Sequence, residues 1–268
     1  MREHYINRKG VKLYAREDGI TDPHAPTIVF LNSLGTNLHL WDRVVQQLPE
    51  QLRIIRMDKR GHGRSDCPKG SYSMGTLVSD AEEICDSLNI QNAAFVGVSI
   101  GGMIAQGLAV KRLDLMRVLI LSNTAAKIGY PKFWNDRIDT IRKLGLMAVA
   151  DNILERWVAK TFRYDPAVDQ LRTMLTSTPV DGYIGCCAAI SGTDFYTPTS
   201  SLRLPTLGIS GSEDISTPAD LIKETIDLIP GSQFKIIRRT GHLPCFEKPT
   251  EFTQEIMQFL KATGHFKA

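Results

Sequence analysis

A chain of 268 residues, 43% of them apolar, can bury a sizeable core, which excludes a disordered chain and predicts one domain with an insert. Its 32 basic and 29 acidic residues leave a net charge of +3 spread without long single-sign runs, so the concentrated basic face of a nucleic-acid binder is missing. The start, Met1-Arg2-Glu3-His4-Tyr5-Ile6, has no apolar leader core, and no run of about 18 apolar residues occurs, which predicts a cytoplasmic protein without a membrane span.

Residues 3–7 and 11–17 alternate apolar and polar around Asn7-Arg8-Lys9-Gly10, the pattern of an antiparallel hairpin at a sheet edge. Thr27 to Leu31 is a continuous apolar run, followed by Asn32-Ser33-Leu34-Gly35-Thr36-Asn37 and a helix through Trp41, Val44, Val45 and Leu48. Arg53 to Met57 forms a strand ending at Asp58, and Leu77, Ala81, Ile84, Cys85 and Leu88 put a helix over residues 73–88. The strand Phe95 to Val98 runs into Ser99, a helix over 103–110 follows, and Arg117 to Ser122 is the next strand.

Between residues 125 and 202 the alternation stops, and Ile138, Ile141, Leu144, Leu146, Val149, Ile153, Leu154, Trp157 and Val158 predict successive amphipathic helices. Strands resume at Pro205 to Ser210 and Phe234 to Ile237, with helices at Leu221 to Leu228 and Glu251 to Leu260. Strand and helix in turn predict an α/β fold: a doubly wound, mostly parallel sheet of roughly eight strands. Residues 1–124 and 203–268 form its core, and 125–202 are a helical cap. Open α/β sheets bind ligands beyond the carboxyl ends of their strands, where this insert starts and ends, so the cap is expected to cover the site.

The sharpest local signal is Gly97-Val98-Ser99-Ile100-Gly101 between a buried strand and a helix. Glycines two residues to either side suit a turn so tight that a side chain there would collide, and they push Ser99 out at the tip. The same pattern also fits a serine that only caps a helix; the strand before it and the helix after it favour the nucleophile. A serine hydroxyl is a poor nucleophile at neutral pH and needs a histidine to take its proton and a carboxylate to hold that imidazole.

His242 follows the last strand at the same edge as Ser99, whereas His265 lies in a tail expected to fray. The loop after the 205–210 strand offers Glu213 and Asp214, of which Asp214 is the choice; Asp220 suits the first turn of the next helix. The order Ser99, Asp214, His242 is that of an α/β-hydrolase. An oxyanion hole needs two converging N–H groups, and the amides of Ile100 and Leu34 are placed to supply them. The five cysteines show no metal-binding spacing and are read as reduced packing residues, Cys245 included.

The chain resembles the α/β-hydrolase family over nearly its whole length outside the cap. Asp58-Lys59-Arg60-Gly61-His62-Gly63-Arg64-Ser65 resembles the family's Asp-x-Arg-Gly-x-Gly-x-Ser turn, in which Lys59, Arg60 and His62 are taken as structural. Gly241-His242-Leu243-Pro244 through Glu247-Lys248-Pro249 resembles its histidine loop. Asn32-Ser33-Leu34-Gly35 replaces the His-Gly start common in the family's oxyanion loop and is similar to the 3-oxoadipate enol-lactonases, as are Ser99-Ile100-Gly101-Gly102-Met103 and the Phe133-Trp134 to Arg137-Ile138 segment.

That resemblance implies hydrolysis of an enol-lactone to 3-oxoadipate, in aromatic-compound catabolism (the β-ketoadipate pathway), with no cofactor or metal. The substrate would be a small carboxylated lactone, and Trp134 and Arg137, three apart on one helix face, would hold its free carboxylate. Arginine on an amphipathic helix also commonly faces water, and Trp134 also suits packing of the cap onto the core. The same three residues serve a carboxylesterase, a carbon–carbon bond hydrolase or a perhydrolase, and a small-molecule receptor could keep the pocket without turnover.

Overall fold

The computed structural model describes residues 1–267. Eight strands form one sheet in the order β1-β2-β4-β3-β5-β6-β7-β8: Arg2–Arg8 (β1), Val11–Gly19 (β2), Thr27–Leu31 (β3), Arg53–Asp58 (β4), Ala93–Val98 (β5), Met116–Ser122 (β6), Thr206–Gly211 (β7) and Gln233–Ile237 (β8). The hairpin β1–β2 and the β2–β4 pair are antiparallel, and every later neighbour is parallel, giving the doubly wound α/β sheet that the alternation implies.

Every residue of β3, β4, β5 and β7 is buried, because helices cover both faces of the parallel part. Two arginines interrupt this apolar pattern on β4, and each is paired with an acid of the adjacent β2: Arg53 with Glu17 at 2.7 Å, and Arg56 with Asp18 at 2.6 Å. Buried charges persist only with such partners.

The helices are Asp42–Val45 (α1), Met74–Ser87 (α2), Ile100–Lys111 (α3), Pro131–Trp157 (α4), Val168–Thr176 (α5), Val180–Ser191 (α6), Tyr196–Ser200 (α7), Ala219–Asp227 (α8), Pro244–Glu247 (α9) and Pro249–Ala262 (α10). Between β6 and β7 the described chain contains only helices, α4 to α7 and one short 3-10 turn. Gly145, at φ 74° and ψ 167°, breaks α4 into two arms. Among the described residues no helix is long and apolar enough to cross a membrane.

Two expectations change. The helix through Leu48 is only a 3-10 turn, Leu38–Trp41, and one α turn, closed by hydrogen bonds from the Gln47 and Leu48 amides to the Val44 and Val45 carbonyls ahead of Pro49, since a residue before proline disfavours the helical region. The tail does not fray at His265: Gly264 turns the chain at φ 66°, and the buried His265 ring bonds the Thr27 carbonyl at 3.0 Å.

Because β3, β5, β6, β7 and β8 run parallel, their carboxyl ends share one edge. The loops leaving that edge carry Asn32 to Thr36, Ser99, Asn123, Asp214 to Thr217, and Gly241-His242. The site is assembled from these loops and roofed by α4 and α6.

Candidate active site

Ser99 joins β5 to α3 with φ 57° and ψ −121°, a conformation that an L-residue holds only at a cost of about 1–3 kcal/mol. The surroundings enforce it. A Cβ at Gly97 would strike the Gly101 carbonyl, and one at Gly101 would strike the Leu31 carbonyl, so both positions bracketing the turn require glycine. The Ser99 amide donates to the Ser122 carbonyl at 3.1 Å, and the Thr124 hydroxyl donates to the Ser99 carbonyl at 2.6 Å. The Ser99 side chain makes no capping bond to α3, which leaves its hydroxyl to the cavity it lines.

His242 lines the same cavity. Its own amide donates to the Trp157 carbonyl at 2.8 Å, and the Gly241 amide donates to Glu247 Oε1 at 2.7 Å, so the end of α4 and a buried acid fix the loop. Nδ1 donates to Asp214 Oδ2 at 2.8 Å, which leaves Nε2 as the free basic nitrogen. Among the described residues no hydrogen bond joins the Ser99 hydroxyl to His242, although both line one cavity.

Asp214 is the more buried of the two candidate acids; Glu213 faces solvent. Besides the imidazole it accepts from Asn123 Nδ2 at 2.7 Å, the Thr217 hydroxyl at 2.8 Å, and the Ser216 and Thr217 amides at 2.7 and 3.1 Å. Burial pushes its carboxyl upward, but the His242 charge and these donors outweigh burial and hold it below the ordinary carboxylate range. Asn123 and Thr217 escaped the sequence reading. Asn123 could have been found, since it is the first residue beyond β6 at the edge where Ser99 emerges.

Leu34 sits in the turn after β3 and lines the cavity, while Ile100 opens α3 beside Ser99. Among the described residues neither amide is taken by a protein acceptor. A negative oxygen on a carbon bonded to Ser99 could therefore be met by two free N–H groups and by the helix dipole.

Trp134 and Arg137, on the first arm of α4, both line the cavity. The Trp134 indole donates to the Ile128 carbonyl at 2.6 Å, and the Arg137 guanidinium lies 5.7 Å from the Trp134 ring and donates to the Tyr183 hydroxyl. Burial pushes that phenol up to about 12, so it remains a hydroxyl. Arg156, on the second arm, lines the cavity too and was missed, because it lies beyond the break at Gly145 and its phase cannot be read from Arg137.

Burial and then the like charge of Arg137 push the Arg156 guanidinium below its usual value. Neither arginine is paired with a carboxylate among the described residues. Cys245 is wholly buried, and burial pushes its thiol far above the usual range, as an inert packing residue requires. Among the described residues no three His, Cys, Asp or Glu side chains are placed to hold a metal ion.

A family model described as alpha/beta hydrolase fold matches residues 26–149. The 3-oxoadipate enol-lactonases 1 and 2 of Acinetobacter baylyi are 33% and 31% identical to this chain; the first alignment covers 96% of each chain, the second 88% of this chain and 89% of the relative. A solved structure, the enol-lactonase from Burkholderia xenovorans LB400, superposes with a TM-score of 0.92 at 33% identity, covering 96% of this chain and all of that one. Identity of this order, sustained along almost the entire chain and matched by the same arrangement of sheet and insert, shows that the chain belongs to the α/β-hydrolase family.

Proposed function

We propose that the protein opens the ring of 3-oxoadipate enol-lactone, with Ser99 as nucleophile, His242 as general base and acid, and Asp214 as the group that orients and charges the imidazole. The observation that carries the substrate class is the pair Arg137 and Arg156, two guanidinium groups without a carboxylate partner in the wall of the cavity that holds Ser99 and His242. An anion bound in that cavity would offset the positive charge that Arg137 imposes on Arg156, and a guanidinium offers a carboxylate a two-pronged grip. The names of the enol-lactonase relatives agree with that class.

In the proposed reaction His242 Nε2 takes the Ser99 proton while the alkoxide attacks the lactone carbonyl, and the Leu34 and Ile100 amides hold the oxyanion. The ring C–O bond breaks toward the enol oxygen, which leaves as an enolate, is protonated and becomes the ketone. Because an enolate is a better leaving group than an alkoxide, acylation is easy. Water activated by His242 then cleaves the acyl-enzyme and releases 3-oxoadipate with a second carboxylate; the setting we propose for this reaction is aromatic-compound catabolism.

The test is the loss of lactone absorbance with freshly made enol-lactone, beside p-nitrophenyl acetate. The proposal expects a higher kcat/KM for the lactone; fast ester turnover with a nearly untouched lactone would instead favour a general carboxylesterase. Replacing Arg137 by Ala should raise KM for the carboxylated lactone roughly tenfold to a hundredfold, the loss expected for one charge-assisted bond, and leave KM for the uncharged ester within about twofold. An unchanged lactone KM would remove Arg137 from carboxylate recognition.

A further inference from the structure

Lys59 is a buried charge that the proposed mechanism leaves unused. It lies in the turn after β4 and is 8% exposed, and among the described residues no carboxylate pairs with it. Its neighbour Asp58 spends its oxygens on the Leu38 and Arg64 amides at 2.8 and 2.9 Å, and Asp80 of α2 is held by Arg60 and Arg8. The Lys59 ammonium points instead at two backbone carbonyls of the oxyanion loop, Ser33 at 2.7 Å and Thr36 at 3.2 Å.

The Ser33 carbonyl belongs to the same peptide unit as the Leu34 N–H. In a trans peptide the carbonyl and the N–H point in opposite directions, so a group that pins one aims the other. Three donors converge on Ser33 O: Lys59 Nζ, the Thr36 hydroxyl at 2.9 Å and the Thr36 amide at 3.3 Å. The next peptide is pinned from its other side, where the Gly35 amide donates to His62 Nε2 at 3.0 Å. Burial and then the Lys59 charge push His62 well below its usual range, so it stays neutral and keeps that acceptor.

We infer that Lys59 is a positioning residue for the oxyanion hole: its charge orients and polarises the Ser33–Leu34 peptide so that the Leu34 N–H is a stronger donor to the developing oxyanion. An ammonium on the carbonyl draws electron density out of the amide, and in a buried site this effect is little screened. The inference rests on acyl transfer at Ser99 but on no particular substrate.

Burial, opposed by Cys186 of α6 and Asp58, pulls the Lys59 amine down to about 8, with neutral His62 beside it in the same turn. The charge is therefore present below that pH and lost above it, while the neutral amine can still donate. The wild-type kcat for p-nitrophenyl acetate, measured from pH 6 to 9.5, should fall threefold to tenfold through a midpoint near pH 8 at nearly constant KM.

Lys59→Met should lower kcat at pH 7 about tenfold or more with KM within about twofold and should abolish the alkaline fall; Lys59→Gln, a donor without charge, should lie between them. A wild-type kcat that is flat from pH 7 to 9.5, or a Lys59→Met protein with unchanged melting and near wild-type kcat, would overturn the inference. The wild-type profile and Lys59→Gln decide the matter if Lys59→Met does not fold. Ester turnover that depends on Ser99 while the lactone is untouched would fail the substrate assignment and leave the Lys59 test intact.

Discussion

Ser99→Ala should lower kcat for the lactone by at least ~10⁴-fold, the loss typical when the nucleophile of such a constellation is removed. The size follows from the chemistry: among the described residues no other hydroxyl sits at a positive φ in the cavity that His242 lines, and water attacking directly would lose the covalent route of the proposed reaction. What remains should come from binding and from the Leu34 and Ile100 amides. The fold should survive, because alanine carries the same φ 57° strain as serine and the side chain makes no capping bond. Stopped-flow loss of lactone absorbance, with thermal melting as the control, measures both. Retention of more than about a tenth of wild-type kcat would rule out acyl transfer at this residue.

Asp214→Asn should cost roughly 10³- to 10⁴-fold in kcat through the tautomer of His242. The carboxylate accepts the Nδ1 proton and leaves Nε2 free; an amide presenting its NH2 to Nδ1 would move the proton to Nε2 and remove the base. Five donors reach Asp214, so an amide also forces donor against donor at Asn123 or Thr217, and some loss of stability should follow. The pH dependence has a definite sign. The native carboxyl is held below its unfolded value of about 3.9, so its contribution to stability is complete above that value and lost as pH falls through the native one. The Asn variant should therefore melt with a shallower dependence on acid. Measured kcat within about tenfold of wild type would mean that Asp214 does not set the tautomer.

Much of this architecture is legible in the chain because its causes are local. Thr27 to Leu31 and Arg53 to Met57 read as buried strands from their side chains alone, and the glycines around Ser99 announce a turn that only glycine permits. Asp214 and His242 could be chosen because parallel strands deliver their following loops to one edge. What could not be read depends on contacts between segments distant in sequence. His265 looked like a loose end because nothing nearby shows the Thr27 carbonyl that receives its ring, more than two hundred residues earlier. Arg156 was hidden by the break at Gly145, which ends the helical phase that links Trp134 to Arg137. Lys59 read as part of a structural turn, and only the fold shows its amine against the carbonyl of Ser33.

The most direct measurement is covalent trapping: incubation with an activated alkyl phosphonate p-nitrophenyl ester, followed by intact-mass and peptide mass spectrometry. The account predicts one adduct per chain, on the peptide carrying Ser99, with p-nitrophenol release and loss of turnover rising in the same proportion, and no adduct in Ser99→Ala or at His242. Full lactone turnover by a protein that remains unlabelled at Ser99, or that carries the adduct elsewhere, would contradict it.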